Sequence, residues 1–272
     1  LFMPNGLGSE ELVYQYTDPN DCFNEDTILV TINDPILAIA GEDFEVCESQ
    51  DSVFLNGLPV GGVWSGPSVS TNLSFNLDEE YFTGLNGSGA TYSGTNLSGC
   101  NWSVDVTGVN LSNYNKYLKV VNNLLEASDL DGSAYWLSPI IDIDGFTNVS
   151  ISISASEWGW LQSDDGMDFE YRVNSGFWNT FESNGSLYGN FTNSLASSSS
   201  IMGNTLEIRV KFTNNSTSEY LRIDDVKILG ELPGLYEVVN PDTVNLVYTY
   251  GLNNCLNNDT VQLVVNSLPI VD

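Results

Sequence analysis

Three groups of side chains in this chain have the types and spacing to do chemistry. The first is a set of acidic turns. Asp129-Leu130-Asp131-Gly132 and Asp142-Ile143-Asp144-Gly145 each bring two carboxylates into a sharp turn, and Asp164-Asp165-Gly166 is a third, with Asp168 close behind. Calcium takes six to eight hard oxygen ligands, commonly from such loops. Neither Asp-x-Asp-Gly turn runs on into a twelve-residue loop with a closing glutamate, which excludes an EF-hand. Asp-Gly is also ordinary turn chemistry, and for any single turn that is the commoner explanation. The second group is aromatic: Trp158, Trp160, Tyr171, Trp178, Tyr188 and Tyr220, with Arg172, Asn179, Asp165 and Glu182 nearby as hydrogen-bonding groups. In Glu157-Trp158-Gly159-Trp160 two tryptophans flank a glycine. Exposed, such faces stack sugars; buried, they pack a core, the commoner fate of any one of them. The third group is four cysteines, Cys22, Cys47, Cys100 and Cys255.

Hydrolytic chemistry is not organised here. Pairs such as Asp164 with Asp165, or Glu157 with Asp168, are carboxylates of the kind that cleave glycosides. Adjacent residues on a strand point to opposite faces, so Asp164 and Asp165 pair poorly. The chain has no histidine, hence neither the usual general base nor the commonest zinc ligand. It shows no nucleophile elbow and no phosphate loop. The sequence reads as that of a non-enzyme.

Composition narrows the partners. The 36 acidic and 7 basic residues give a net charge of −29. That excludes nucleic acid and anionic membranes, which need basic patches. No apolar run is long enough to insert in a bilayer. All seven bases, from Lys116 to Lys227, lie in the middle of the chain. Four cysteines suit one or two bridges in an oxidising compartment.

The elements that must position these groups read as strands throughout. Asn148–Ser154, Leu206–Phe212 and Leu221–Ile223 alternate with period two, the pattern of half-buried antiparallel strands. No helical periodicity of useful length occurs. One stretch appears twice. Leu12-Val13-Tyr14-Gln15-Tyr16, then Cys22 and Asp26-Thr27, returns as Leu246-Val247-Tyr248-Thr249-Tyr250, then Cys255 and Asp259-Thr260, each copy followed by an apolar strand and a proline, Pro35 or Pro269. A fixed internal repeat implies repeated modules. Residues 1–35 are read as the last two strands of a module, which cannot bury an apolar face alone. Residues 36–79 and 231–272 are the two halves of a complete module, with Trp64 in its core, and 80–230 is inserted between them. Pro269-Ile270-Val271-Asp272 matches Pro35-Ile36-Leu37-Ala38, so a further module is expected to follow in a tandem array. Cys47 is expected to pair with Cys255 across the insertion. Cys22 is then left without its partner, and Cys100 is a free buried thiol.

Two resemblances follow from these residues. Val46-Cys47, Leu55-Asn56-Gly57-Leu58-Pro59-Val60-Gly61-Gly62-Val63-Trp64-Ser65-Gly66 and the Tyr-x-Tyr…Cys…Asp-Thr ending resemble the repeats of very large SprB-like surface adhesins of gliding Bacteroidota, type IX secretion substrates. The insert, with Trp136-Leu137-Ser138-Pro139, Ile141-Asp142-Ile143 and Ile223-Asp224-Asp225-Val226-Lys227-Ile228, is similar to jelly-roll modules of the MAM-like, carbohydrate-binding and convertase P-type families. The first resemblance implies an extracellular, cell-surface repeat protein tied to gliding motility. It also implies O-glycosylation at Thr27, Ser52, Thr243 and Thr260, where Asp-Ser/Thr-aliphatic patterns occur, although aspartate before a strand is also common turn chemistry. The second implies a structural Ca2+ between an early acidic loop and a late aspartate, with Glu126, Asp129, Asp131 and Asp225 as ligands. It further implies glycan binding by Trp158, Trp160, Trp178 and Arg172.

The chain is therefore expected to be all-β: an immunoglobulin-like β-sandwich with an inserted jelly-roll β-sandwich, preceded by a partial sandwich module. It is expected to act as an adhesin or filament segment whose insert binds a glycan or another surface ligand, with neighbouring modules as partners. The alternative is a purely structural filament subunit whose insert makes packing contacts.

Overall fold

The computed structural model describes residues 6–33, 36–71, 73–252 and 255–269; Pro35 and the match at 270–272 lie outside the described residues. Among the described residues every regular element is a strand. The first two, β1 (Gly8–Thr17) and β2 (Phe23–Ile32), form an antiparallel hairpin that is a sheet by itself.

The next four strands are short: β3 (Phe44–Cys47), β4 (Ser52–Phe54), β5 (Val63–Ser65) and β6 (Val69–Ser70). They wait for partners far along the chain. These are β22 (Leu235–Glu237), β23 (Thr243–Leu252) and β24 (Cys255–Asn266). One sheet runs β4-β22-β6 and the other β3-β24-β23-β5. Together they form a seven-stranded two-sheet sandwich of immunoglobulin-like form, closed over Ala38, Leu55, Trp64, Tyr236, Leu246, Tyr248, Val261, Leu263 and Val265. Asp259 fastens the two halves: its Oδ2 accepts the Ala40 N–H at 2.9 Å. In return Asp43 Oδ1 accepts the Gln262 N–H at 2.7 Å.

Between these halves runs the larger sandwich. Its strands are β7 (Leu73–Glu80), β8 (Gly89–Thr91), β9 (Gly94–Asn96), β10 (Ser103–Asp105), β11 (Tyr117–Val121), β12 (Leu124–Ser128), β13 (Gly132–Leu137), β14 (Ile141–Asp142), β15 (Thr147–Trp158), β16 (Gly166–Val173), β17 (Asn179–Thr180), β18 (Ser186–Tyr188), β19 (Ser194–Ile201), β20 (Thr205–Asn214) and β21 (Tyr220–Leu232). One sheet runs β19-β15-β21-β12-β11-β8-β9 and the other β10-β13-β20-β16-β17. The long strands β12, β13, β15, β16, β19, β20 and β21 alternate between the two sheets as the chain advances. That crossing pattern is a jelly roll. Period-two alternation sends Leu206, Ile208, Val210 and Phe212 inward from one sheet and Ile151, Ile153, Ile223 and Ile228 inward from the other.

Two expectations need correction. Leu73–Leu77 is not a host strand. As β7 it pairs with β21 over Leu73–Glu80 opposite Leu232–Val226, so the jelly-roll sheet begins before residue 80. The Cys47–Cys255 bridge does not form. In the parallel pair β3–β24, Cys47 lies opposite Asn266. Cys255 starts that same strand, some 35 Å away at roughly 3.3 Å per residue. A disulfide needs its Cα atoms within about 7 Å. All four cysteines are free, with Cys22, Cys47 and Cys255 exposed. Cys100 is half-buried against the larger core, and burial pushes its thiol pKa up.

Candidate functional site

The aromatic pair expected from Trp-Gly-Trp is assembled at one end of the jelly roll. Trp158 is the last residue of β15 and pairs in register with Tyr220, the first of β21. Their rings sit 5.5 Å apart, tilted by 46°. The loop after β15 and the loop 215–219 before β21 close on each other. Gly159 makes this approach possible: its φ is +113°, and a Cβ there would stand 2.3 Å from the Ser218 carbonyl oxygen. The result is an open cleft of about 730 Å³ lined by Glu157, Trp158, Trp160, Gln162, Ser216 and Glu219, among others. Trp158 is 59% exposed and Trp160 85%.

The loop between β15 and β16 is held by its own polar groups. The Leu161 N–H donates to Asn190 Oδ1 at 2.9 Å, and the Gln162 N–H to Asp165 Oδ2 at 3.0 Å. Gln162 Nε2 donates to Glu219 Oε1 at 2.6 Å. On the other side, buried Asn214 donates to the carbonyls of Ala127 and Glu219 at 3.3 and 3.1 Å. Asp165 and Glu219 are both almost wholly buried. Burial, reinforced by the other carboxylate, raises the pKa of Glu219, and burial raises that of Asp165, with the neighbouring Asp164 adding to it. Glu219 Oε2 and Glu157 Oε2 are both buried without a hydrogen-bond partner.

Trp178 and Arg172, expected to share this site, are elsewhere. On the outer face of the other sheet three cross-strand ion pairs link β16 to β20. Arg172 is bidentate to Glu207 at 2.9 and 2.6 Å. Arg209 reaches Glu170 at 2.7 Å and Lys211 reaches Asp168 at 3.3 Å. Each pair sits directly opposite in register, the arrangement in which opposite charges support a sheet. The Trp178 ring lies under both guanidiniums, 4.7 and 4.3 Å from their centres. Arg172 and Trp178 therefore brace a sheet face and do not reach the cleft.

The expected calcium ligands are not brought together. Glu126 is buried, accepts from Tyr117 Oη at 2.7 Å and pairs with Arg222 at 2.6 Å. That contact and burial hold the Tyr117 phenol protonated far above its usual range. Asp129 and Asp131 both engage Lys116, at 3.5 Å for Asp129. Asp225 lies on a different surface, in a shallow cleft with Asp224 and residues 154–156 and 193–195. One lysine thus engages both aspartates of the acidic turn and offsets one of their two charges. Among the described residues no group of three or more acidic or cysteine side chains is arranged to hold a metal ion.

Thr27, Ser52, Thr243 and Thr260 are all exposed. Asp26, Asp242 and Asp259 each accept the N–H of the following threonine, at 2.9, 2.7 and 2.8 Å. Sequence reasoning named Trp158 and Trp160 but missed Gln162 and Glu219 as parts of one site. Glu219 stands 62 residues from Glu157 in a serine-rich turn, and no local pattern marks it.

No family model matches the chain, and no curated protein matches it. Solved structures give distant likenesses. The K3 cleaved adhesin domain of Lys-gingipain from Porphyromonas gingivalis W83 is 9% identical over 58% of this chain and 99% of that one, with a TM-score of 0.36. The K1 cleaved adhesin domain of the same protein is 12% identical over 58% of this chain and 98% of that one, at 0.25. A structure of carbohydrate-binding modules from the β-sandwich superfamily is 10% identical over 84% of this chain and 76% of that one, at 0.25. At these scores the likenesses carry no functional argument.

Proposed function

We propose that this chain is a segment of an extracellular surface adhesin whose jelly roll binds a glycan in the Trp158–Trp160 cleft. The observation that carries the reading is the exposure of both tryptophans in the lining of one cleft. Large aromatic side chains are normally buried in a sandwich core, and an exposed apolar patch rimmed by polar groups marks a binding surface. The wall is braced by the Trp158–Tyr220 contact, so the stacking surface is pre-formed. The immunoglobulin-like module serves as a spacer in a tandem array of the SprB-like, type IX secreted kind. Its exposed Thr and Ser residues are sites for O-glycosylation, which the intact mass of the exported protein tests.

A glycan array probed with the full chain and with Trp158→Ala and Trp160→Ala tests the binding role. Each substitution is expected to weaken retention by about tenfold or more, as stacking on an aromatic ring contributes roughly 1–3 kcal/mol. Retention unchanged by both substitutions defeats the reading. A second reading, a filament subunit, is favoured by the hairpin β1–β2. Its Tyr14, Tyr16, Phe23, Ile28 and Leu29 are all exposed, as in a surface that another module or chain covers.

A further inference from the structure

We infer that the cleft takes a cationic sugar: an unacetylated amino-sugar unit, its ring against Trp158 and Trp160 and its ammonium group against Glu219 and Glu157. The inference rests on the glycan reading above and adds the charge of the ligand.

Glu219 is only 2% exposed, lines the cleft, and carries an oxygen with no hydrogen-bond donor. Glu157, beside it in the lining, has the same deficit at Oε2. An ionised carboxylate taken from water without a partner is costly. Elsewhere among the described residues most part-buried carboxylates avoid that cost, with Asp224 Oδ1 the exception. Glu126 has Arg222, Asp129 and Asp131 have Lys116, and Asp168, Glu170 and Glu207 have Lys211, Arg209 and Arg172. The two remaining bases, Lys119 and Lys227, lie over the rings of Tyr117 and Tyr81. No base lines the cleft, and burial with the Asp165 carboxylate pushes Glu219 toward its neutral form, a shift that a cation bound in the cleft reverses. A ligand ammonium in the cleft supplies the opposite charge that these carboxylates lack. The same ammonium is attracted to the tryptophan faces. An acetylated amine offers one neutral N–H and leaves the charge uncompensated. A uronic or sialic acid is repelled. A lysine side chain brings the charge but no flat ring for two tryptophans.

Calorimetric titration of the full chain at 0.15 M salt separates these ligands. The probes are glucosamine tetramer, N-acetylglucosamine tetramer, cellotetraose and tetralysine. Glucosamine tetramer is expected to bind about tenfold or more tighter than the other three. Glu219→Gln is expected to remove that preference while leaving the residual binding common to the three sugars. Trp160→Ala is expected to weaken all three sugars alike. Should Glu219→Gln fail to fold, judged by its circular dichroism, Glu157→Gln is held to the same criterion. Equal affinity for the glucosamine and N-acetylglucosamine tetramers overturns the inference and leaves the glycan reading standing. Tetralysine binding as tightly as glucosamine tetramer, unaffected by Trp160→Ala, overturns it in favour of a basic peptide. Failure of every sugar to bind removes the glycan reading itself.

Discussion

Tyr248 shows how one residue closes the immunoglobulin-like module. Its ring is fully buried and lies 5.2 Å from that of Trp64. Its hydroxyl accepts the Gly62 N–H at 2.7 Å and donates to the Pro59 carbonyl. The second glycine of Gly61-Gly62 is explained by the same contact, and the first by its φ of +100°. A Cβ on Gly62 would stand 2.3 Å from the tyrosine ring. Tyr248→Phe keeps the ring and orphans the buried Gly62 N–H and the half-buried Pro59 carbonyl. It is expected to destabilise the chain by roughly 1–3 kcal/mol in urea unfolding. A loss below a few tenths of a kcal/mol would show that water satisfies those groups instead. At the jelly-roll end, the deciding residue is Glu219, whose meaning depends on Glu157, Asp165 and Gln162 converging on it.

The repeated element behaves in two ways. In β23–β24 the motif's Leu246, Tyr248, Val261 and Leu263 are core residues, because β3 and β5 flank the pair and the second sheet covers its face. In β1–β2 the equivalent Tyr14 is 69% exposed and Ile28 62%. The strands and their pairing register are the same in kind, but among the described residues nothing covers the face. The cysteine in each copy sits near the hairpin turn, and in the second copy this puts Cys255 at the end of β24 away from Cys47, so the expected staple is geometrically out of reach. Adding reductant, or replacing Cys47 and Cys255 by serine, is therefore expected to leave the thermal midpoint unchanged within about half a kcal/mol of stability, as for exposed surface positions. A drop of several kcal/mol, the usual cost of losing a native disulfide, would refute the strand register.

The whole molecule carries a net charge of −29, shared among the N-terminal segment and the two sandwiches. The bases concentrate in the larger one, where most are consumed by ion pairs on its sheet faces. The immunoglobulin-like sandwich has none to offset its carboxylates. Self-repulsion of this kind destabilises the compact state and is screened within about 8 Å at 0.15 M salt, against about 30 Å at 0.01 M. Raising sodium chloride from 10 to 150 mM is expected to raise the melting temperature, by roughly 2–4 °C for each kcal/mol of repulsion relieved. A falling midpoint over that range would mean that the paired charges on the jelly roll outweigh the unpaired ones.

Period-two alternation in Asn148–Ser154 and Leu206–Phe212 determined by itself that these stretches are strands with one buried face, because side-chain direction alternates along any extended chain. The repeat ending in Asp-Thr likewise determined that a hairpin forms twice. Composition determined that basic patches are lacking. Only the tertiary structure decided the rest. It gave Leu73–Glu80 to the jelly roll, put Cys47 and Cys255 at opposite ends of a sheet, and parted Trp178 and Arg172 from Trp158 and Trp160. It turned Asp129 and Asp131 toward Lys116 and brought Glu219 to Glu157 across 62 residues. The physical reason is common to all of these. Local sequence sets which way a side chain faces, whereas its neighbour is set by which distant strand lies alongside, and in this jelly roll the chain crosses repeatedly from one sheet to the other.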